Sequence, residues 1–550
     1  MSLFAPAAPN LQKLFLALFH CPDEAAVETL IQQEPEIFAQ ENWRPLGGSE
    51  NLYGVIENQQ ASPIAALVEK LTNAIDATLM RKCYEAGVDP TAPTAPQTME
   101  AAVRQFYGQE AANWDLPTAR RAQAENIQIV ASGPLKQPSL VLYDNGEGQH
   151  PTHFETTLLS LLRGNKNSIH FVQGKYNMGG SGAIVFCGRR GYQLIASKRY
   201  DGSGEFGFTL TRKHRLLEAE ESAKKNTWYE YLTVQGRIAA FPITALDLSL
   251  HNRPFRTGTV IKLYSYKLPE GSRSVISREL GRSLNEYLFD PALPFLVVDT
   301  KERYPNDRGL ERPIYGLKRR LEQEENKYVE TAFVEDFQHE EFGKLRVTCY
   351  VFRAKVEGKT AKESNRTIQD EFFKNNMAVL FAMNGQVHGF YTSEFITRAL
   401  KLNLLKNSLL IHVDCTQMKQ VFRAELFMAS RDRLKEGEET RELRKFLAAQ
   451  LGKAGGRLAD IEKRRKDAIA VDGTDAQDLL RSVTKNLSFN PELLKLLGST
   501  FQLDEKKAPP SPAAPKPTAP KPAPQPFLPK RGQRFRMLRM PPAGFFTSPA

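Results

Sequence analysis

The sequence predicts an α+β protein, in which one long helix and several antiparallel strands form a sandwich with helices on one sheet face. Apolar residues recur at helical spacing from Pro63 to Ala86. Short strand-like runs bounded by Gly, Asn and Ser follow this helix. The runs are Ile127–Ser132, Ser139–Tyr143, Ala183–Cys187, Tyr192–Ser197, Glu205–Thr211 and Thr259–Tyr264.

The whole chain divides into five predicted regions. Residues 1–50 form an N-terminal helical region without a chemical motif. The sandwich domain covers 51–268 and contains a long Gly-, Asn- and Ser-rich loop at 149–182, of a length that is usually functional. A second α+β domain is predicted at 269–435, a charged helical segment at 436–505 and a disordered Pro-rich tail at 506–550.

The second domain is predicted to contain a β-α-β unit. A strand at Ala378–Met383 leads to a helix around Thr392–Leu404 and then to a strand at Ser408–Val413. A further strand-like run, Leu345–Phe352, precedes this unit.

Composition limits the compartment and the partners. No run of eighteen apolar residues exists, so no membrane span is expected. The five cysteines are scattered, which favours a reduced, cytoplasmic chain without structural zinc. Nine Lys and Arg residues and no acidic residue follow Glu505, so the preceding residues carry only about +2 of the net charge of +11. The basic character therefore belongs to the tail.

Two short motifs carry the first candidate site residues. Glu69, Asn73 and Asp76 stand at i, i+4 and i+7, which brings them to one face of the predicted long helix. Asp144-Asn-Gly146-Glu-Gly148 follows the apolar run that ends at Tyr143. Taken singly, the first motif also fits a solvated helix face, and the second also fits a turn that ends a strand.

Two further motifs follow in the chain. The loop segment 174–182 contains Gly174, Lys175, Gly179, Gly180 and Gly182. Its exposed backbone N–H groups are suited to holding phosphates, although a flexible loop with a solvated lysine explains it equally well. Gly258-Thr259 begins the last strand of the sandwich, and by itself this pair indicates only a strand start.

In this order, the four motifs resemble those of the GHKL superfamily of ATPases, which includes gyrases, large heat-shock chaperones, histidine kinases and MutL proteins. The layout is most similar to MORC-like, MutL-like and bacterial defence-associated ATP-binding proteins. The resemblance covers about residues 50–265. The family pattern E-x-x-x-N-x-x-D-A is matched by Glu69, Asn73, Asp76 and Ala77. The pattern D-x-G-x-G is matched by Asp144, Gly146 and Gly148. The pattern G-T-x-[IV] is matched by Gly258, Thr259 and Ile261. The lid pattern G-x-x-G-x-G is matched at Gly174 and Gly179, with Asn177 at its middle glycine.

The resemblance implies a Bergerat-type nucleotide domain that binds ATP and Mg²⁺. Glu69 would be the general base, and Asn73 would ligate the metal. Asp144 would accept a hydrogen bond from the adenine amino group, supported by Thr259. Asp76 would brace the motif.

The glycines have implied roles of their own. Gly146 and Gly148 would let the backbone approach the adenine base of the nucleotide. The lid would be the loop segment that contains Gly174, Lys175, Gly179, Gly180 and Gly182.

The resemblance implies that the second domain, at 269–435, is a transducer-like α+β domain, and this domain contributes one more candidate. Ser430-Arg-Asp-Arg-Leu434 is similar to an S-R-E-x-L segment of the chaperone branch, which implies that Arg431 reaches the γ-phosphate. A helix start capped by Ser430 is the alternative.

The implied function is a slow cytoplasmic ATPase that closes as a homodimeric clamp on DNA or within a genome-defence complex. A chaperone-type clamp on protein clients and a nucleotide-sensing scaffold that does not hydrolyse ATP are the alternatives. A sensor histidine kinase is disfavoured, because no dimerising helix with a phospho-acceptor histidine precedes the nucleotide domain.

Overall fold

Two β-sheets organise the protein in the computed structural model. The structure describes residues 10–471 except 61, 109–113, 115, 162–165, 167, 175–180, 374–375 and 429–432. Both sheets belong to one unit of the chain. The predicted tail at 506–550 and the end of the predicted helical segment lie outside the described residues.

The helices and strands are numbered in chain order. The helices are α1 (Leu11–His20), α2 (Glu24–Gln33), α3 (Tyr53–Glu57), α4 (Pro63–Glu85), α5 (Met99–Tyr107), α6 (Pro117–Ala124), α7 (Glu218–Glu221), α8 (Ile276–Ser283), α9 (Leu317–Arg319), α10 (Ala361–Phe372), α11 (Gln420–Leu426), α12 (Glu438–Leu451) and α13 (Arg457–Val471). The strands are β1 (Trp43–Pro45), β2 (Ile127–Ser132), β3 (Ser139–Asp144), β4 (Gln193–Lys198), β5 (Phe206–Lys213), β6 (Tyr229–Leu232), β7 (Ala239–Phe241), β8 (Gly258–Leu263), β9 (Phe295–Asp299), β10 (Glu311–Ile314), β11 (Val329–His339), β12 (Gly343–Phe352), β13 (Met377–Met383), β14 (Gln386–Thr392) and β15 (Leu409–Asp414).

The larger sheet has the strand order β1-β6-β5-β4-β8-β3-β2-β9-β10, with β7 beside β5. The pair β2 and β9 is parallel, and the other neighbours are antiparallel. The strands β9 and β10 come after residue 268, so the larger sheet extends past the predicted end of the sandwich domain. The centre of the sheet, β4-β8-β3, is where the predicted nucleotide motifs meet.

Helices cover both faces of the larger sheet, so the prediction of helices on one face only was wrong. On β2, Ile129 packs with helices α4, α5 and α8, while its neighbour Val130 packs on the other face with α1 and α2. Neighbouring residues of a strand point to opposite faces, so apolar residues at successive positions require a cover on each side. Here α1 and α2 provide the second cover.

Helix α4 is the longest helix of the described residues and is mostly buried. Ser62 caps its first turn by accepting a hydrogen bond from the N–H of Ala65 at 3.1 Å, and Pro63 occupies the first helical position. Leu67, Leu71 and other residues of its apolar stripe pack on the sheet beside β2 and β3. The predicted helix over Pro63–Ala86 is confirmed to within one residue.

The smaller sheet has the order β11-β12-β15-β13-β14. The strands β13 and β15 are parallel, as the predicted β-α-β unit requires, and β14 pairs with β13 as an antiparallel hairpin. The connection to β15 contains only the π-helical segment Phe395–Ala399, so the helix predicted around Thr392–Leu404 is much shorter than expected. The hairpin between β13 and β14 approaches helix α4.

One predicted strand is wrong. The apolar run Ala183–Cys187 contains the short 3-10 segment Ile184–Phe186 instead. Cys187 forms only an isolated bridge with Tyr266, and the positive φ of Gly188 turns the chain directly afterwards. A short buried run has the same apolar pattern whether it is a strand or a buried turn, so the pattern did not distinguish them. The other predicted sandwich strands are confirmed within about two residues.

No helix in the described part of the chain is both long enough and apolar enough to cross a membrane.

A buried ion pair fixes helix α8 to the end of β9. Asp299 accepts from the N–H of Ile276 at 2.5 Å and pairs with Arg303. Arg303 also donates to the carbonyl oxygens of Leu135 and Ser274, at 3.2 and 3.1 Å. Both charged side chains are almost completely buried.

We expect Asp299→Ala to lower the free energy of unfolding by about 3–5 kcal/mol, because it leaves the Arg303 guanidinium buried without its counter-charge. The measurement is urea denaturation. Asp336→Ala, which breaks the exposed pair with Arg346, is the control and should lower the free energy of unfolding much less. Equal losses in the two variants would contradict this account.

Candidate functional site

A cavity of about 1320 Å³ opens between helix α4, the centre of the larger sheet and the hairpin of the smaller sheet. Six of the residues predicted from the sequence line it: Glu69, Asn73, Asp144, Gly148, Gly174 and Thr259. Its volume exceeds that of typical small-ligand pockets. The fold thus brings together residues from all four motifs.

Helix α4 contributes Glu69 and Asn73 to the cavity wall. Glu69 is only 7% exposed, and its Oε1 accepts from Nε2 of Gln386 at 3.2 Å. The helix buries its apolar stripe on the sheet, and residues four apart lie on the same side of a helix. This spacing explains why the carboxylate and the amide face the cavity together.

Asp76 does not line the cavity but holds the loop at residues 173–174, where the predicted lid begins. Its carboxylate is completely buried and accepts from the backbone N–H groups of Gln173 and Gly174, at 3.0 and 2.9 Å. A carboxylate without these donors would be a costly buried charge. Asp76 therefore fixes the start of the predicted lid to helix α4.

The turn after β3 depends on glycine. The N–H of Gly146 donates to Oδ1 of Asp144 at 3.0 Å, and a Cβ at Gly146 would lie 2.5 Å from the Cβ of Ala77. Gly148 has a φ of +59°, and a Cβ there would overlap the carbonyl oxygen of Lys198. The two glycines let the turn lie directly on α4 and β4.

A polar row crosses three neighbouring strands at the cavity. Asp144 on β3 is opposite Thr259 on β8, and Thr259 is opposite Ser197 on β4. The hydroxyl groups of Ser197 and Thr259 are 3.1 Å apart, and Ser197 donates to the carbonyl oxygen of Gly258 at 2.9 Å. Its oxygen also accepts from the N–H of Gln149 at 2.8 Å. Sequence reasoning missed Ser197, since its role depends on the register of β4 with β8.

Asp144 lies in an environment that disfavours its charged form. Burial raises its pKa to about 7, and the nearby Glu147 carboxylate acts in the same direction. The N–H of Gly146 and the Lys166 ammonium oppose this shift. An additional donor from a ligand would stabilise the ionised carboxylate at this position.

Cationic side chains line other parts of the cavity: Lys166, Arg199, Arg423 and Lys435. Arg423 on α11 donates to the carbonyl oxygen of Thr416 at 3.0 Å, while its buried Nε has no hydrogen-bond partner among the described atoms. Sequence reasoning missed Arg423, because no motif surrounds it. These cations suit an anionic ligand.

Several predicted site residues lie elsewhere. Gly146 supports the turn without lining the cavity, and a Cβ at Gly182 would lie 2.7 Å from Cγ of Gln60, a lining residue. Lys175, Gly179, Gly180 and Arg431 lie outside the described residues, as does Asn177. The structure thus describes the start and the end of the predicted lid.

The cavity offers a defined set of chemical groups. The Glu69 carboxylate can take a proton, and the amide oxygen of Asn73 is a ligand suited to a hard cation. Within the described residues, no group of three or more His, Cys, Asp or Glu is arranged to hold a metal.

Comparison of the chain with protein-family models and with curated proteins gives no match. The functional argument therefore depends on the site itself.

We predict that Asp144→Asn changes how stability depends on pH. The pKa of about 7 lies above the value of about 4 for an unfolded Asp. The stability that Asp144 contributes is therefore complete below about pH 4 and is lost as the pH rises through 7. The Asn variant should thus gain about 4 kcal/mol relative to the original protein across this window.

Urea denaturation of the ligand-free protein at several pH values measures this difference. Asp336→Asn, at an exposed position, should change it little. A difference for Asp144→Asn that is the same at acidic and neutral pH would contradict the prediction.

Proposed function

We propose that this chain binds ATP with Mg²⁺ in the cavity and hydrolyses it slowly. The single observation that carries the proposal is the convergence of Glu69 and Asn73 with the polar row of Asp144 and Thr259 in one cavity. These are the positions at which the sequence resembles the GHKL ATPases. The α+β architecture, with a long helix on a mainly antiparallel sheet, is consistent with a Bergerat-type domain, which we include in the proposal.

The ligand is oriented by the two ends of the cavity wall. The Asp144 carboxylate would accept a hydrogen bond from the adenine amino group. This bond would offset the desolvation that disfavours the ionised carboxylate. Thr259 would contribute to the same contact, because it lies opposite Asp144 across the β3–β8 pair and lines the cavity. The absence of side chains at Gly146 and Gly148 lets the turn after β3 pack directly on α4 and on the end of β4, beside the cavity.

The chemistry would occur at the Glu69 side. Glu69 would orient the attacking water and accept its proton, as a positioned carboxylate does in general base catalysis. Asn73 would provide a protein oxygen for Mg²⁺, which neutralises charge on the phosphates when it is bound. The contribution of the chain is thus mostly positioning and electrostatic stabilisation.

The cations of the cavity wall would hold the phosphates. Arg423 and Lys435 follow the smaller sheet in the chain, and Lys166 belongs to the predicted long loop at 149–182. Arg431, the cation proposed from the sequence, remains a candidate for the same role. Asp76 would hold the start of the predicted lid at Gln173 and Gly174.

Closure of the lid would favour docking of two copies as a clamp, which we propose acts on DNA or in a genome-defence complex. A chaperone-type clamp and a non-hydrolysing scaffold are the competing functions. Salt-sensitive binding of DNA would favour the first function. Binding of unfolded protein without DNA would favour the chaperone, and ATP binding without phosphate release would favour the scaffold.

Glu69→Gln should abolish phosphate release and leave ATP affinity within about twofold, because the amide keeps the shape of the side chain but cannot accept the proton. The measurements are phosphate release and binding of a non-hydrolysable ATP analogue. Glu155→Gln, at an exposed ion pair, is the control and should hydrolyse normally. Phosphate release by Glu69→Gln at the original rate would refute the role of the base.

Arg423→Gln and Arg431→Gln compare the two candidate cations. We expect the variant of the cation that contacts the γ-phosphate to lose about 100-fold or more in kcat, since this interaction strengthens in the transition state. Steady-state ATP hydrolysis measures the loss. Arg346→Gln, on the exposed face of the smaller sheet, is the control. Unchanged kcat in both variants would exclude both residues.

A further inference from the structure

The hairpin turn between β13 and β14 is fixed beside helix α4. Asn384 and Gly385 both have positive φ, +47° and +78°, which is the geometry of a tight two-residue hairpin. The N–H of Asp290 donates to the carbonyl oxygen of Gly385 at 3.1 Å, and the N–H of Val387 donates to that of Tyr287 at 2.7 Å. A Cβ at Gly385 would overlap the carbonyl oxygen of Asp290. The turn is thus held by one backbone segment, residues 287–290, which lies between α8 and β9.

Gln386, the residue after this turn, reaches the proposed base. Its side chain is buried, with Nε2 donating to Oε1 of Glu69 at 3.2 Å. Its Oε1 lies 3.4 Å from the hydroxyl oxygen of Thr72, one turn along the same helix. The reverse orientation of the amide would place its oxygen against the carboxylate, so the chemistry of the neighbours selects the orientation observed.

The same turn also contacts the start of the predicted lid. Nε2 of Gln173 donates to the carbonyl oxygen of Asn384 at 2.9 Å, while the backbone N–H of Gln173 donates to Asp76. One short turn of the smaller sheet therefore contacts both the base and the first residues of the lid. Any displacement of this turn would change both contacts.

We propose that Gln386 is a positioning residue that sets the orientation of the Glu69 carboxylate. The inference rests on the proposed function, in which Glu69 is the general base. A hydrogen bond from the Gln386 amide to Oε1 of Glu69 restricts rotation of the carboxylate group. Because Gln386 belongs to the hairpin, the smaller sheet acts on the reaction through the position of this one amide.

Gln386→Leu removes the donor and keeps a side chain of similar size. We expect kcat to fall roughly 10- to 100-fold, because the base is no longer held in one orientation, while affinity for a non-hydrolysable ATP analogue stays within about twofold. Gln386→Glu should lower kcat further at neutral pH, since two carboxylates then face each other. The difference in kcat between this variant and the original protein should shrink at acidic pH, where the introduced carboxyl group is protonated and donates a hydrogen bond.

A buried control separates positioning from folding. Gln128 on β2 is fully buried, and its amide donates to the carbonyl oxygens of Glu125 and His251, at 2.8 and 3.0 Å. Gln128→Leu should lower stability but leave kcat per folded molecule unchanged. A kcat for Gln386→Leu equal to that of the original protein would overturn the positioning role.

A second measurement does not depend on catalysis. In a double-mutant cycle of unfolding, Glu69→Ala and Gln386→Leu should couple about threefold or more in the unfolding equilibrium constant. Additive effects would show that the two side chains do not interact, and would overturn the proposal. Phosphate release that survives Glu69→Gln would instead overturn the proposed function, whatever the result of the cycle.

Discussion

The buried polar side chains of helix α4 are the constraint on which the rest of the structure depends. The helix covers the centre of the larger sheet, and this position buries Glu69, Thr72 and Asp76 together with the apolar stripe. Buried polar groups need hydrogen-bond partners, and leaving one without a partner costs about 1–3 kcal/mol. Asp76 finds partners in the backbone at 173–174, and Glu69 finds Gln386. Satisfying this one helix therefore brings the start of the loop and the hairpin of the smaller sheet to the cavity.

The centre of the larger sheet meets the same constraint differently. Asp144 ends β3 in a half-buried position at the cavity wall, where desolvation raises its pKa. Its surroundings include the N–H of Gly146 and the row formed with Thr259 and Ser197. Close approach of the backbone is possible because Gly146, Gly148 and Gly258 have no side chains to collide with α4, β4 and the end of β3. The result is a partly satisfied acceptor that a ligand donor would stabilise.

Local patterns predicted the parts of this arrangement that depend on neighbouring residues. The spacing of Glu69, Asn73 and Asp76 predicted a shared helix face, and apolar runs predicted five of the ten described strands of the larger sheet. Contacts between distant segments left no such pattern. Ser197 and Gln386 were missed because their roles arise from strand register and from a hairpin that docks far along the chain. The second helical layer on the sheet was missed for the same reason, since α1 and α2 precede the strands they cover.

The link between the two sheets consists of short direct contacts, and this affects how the proposed ATPase would work. The hairpin turn is hydrogen-bonded to the backbone of Tyr287 and Asp290, so a displacement of that segment would also displace the turn. Its Gln386 meets Glu69 without an intervening residue. In a slow ATPase, the rate of hydrolysis sets how long the closed state lasts, so a contact that orients the base also sets that lifetime. A partner that displaces the smaller sheet would then change the duration of closure through this amide, without touching the nucleotide.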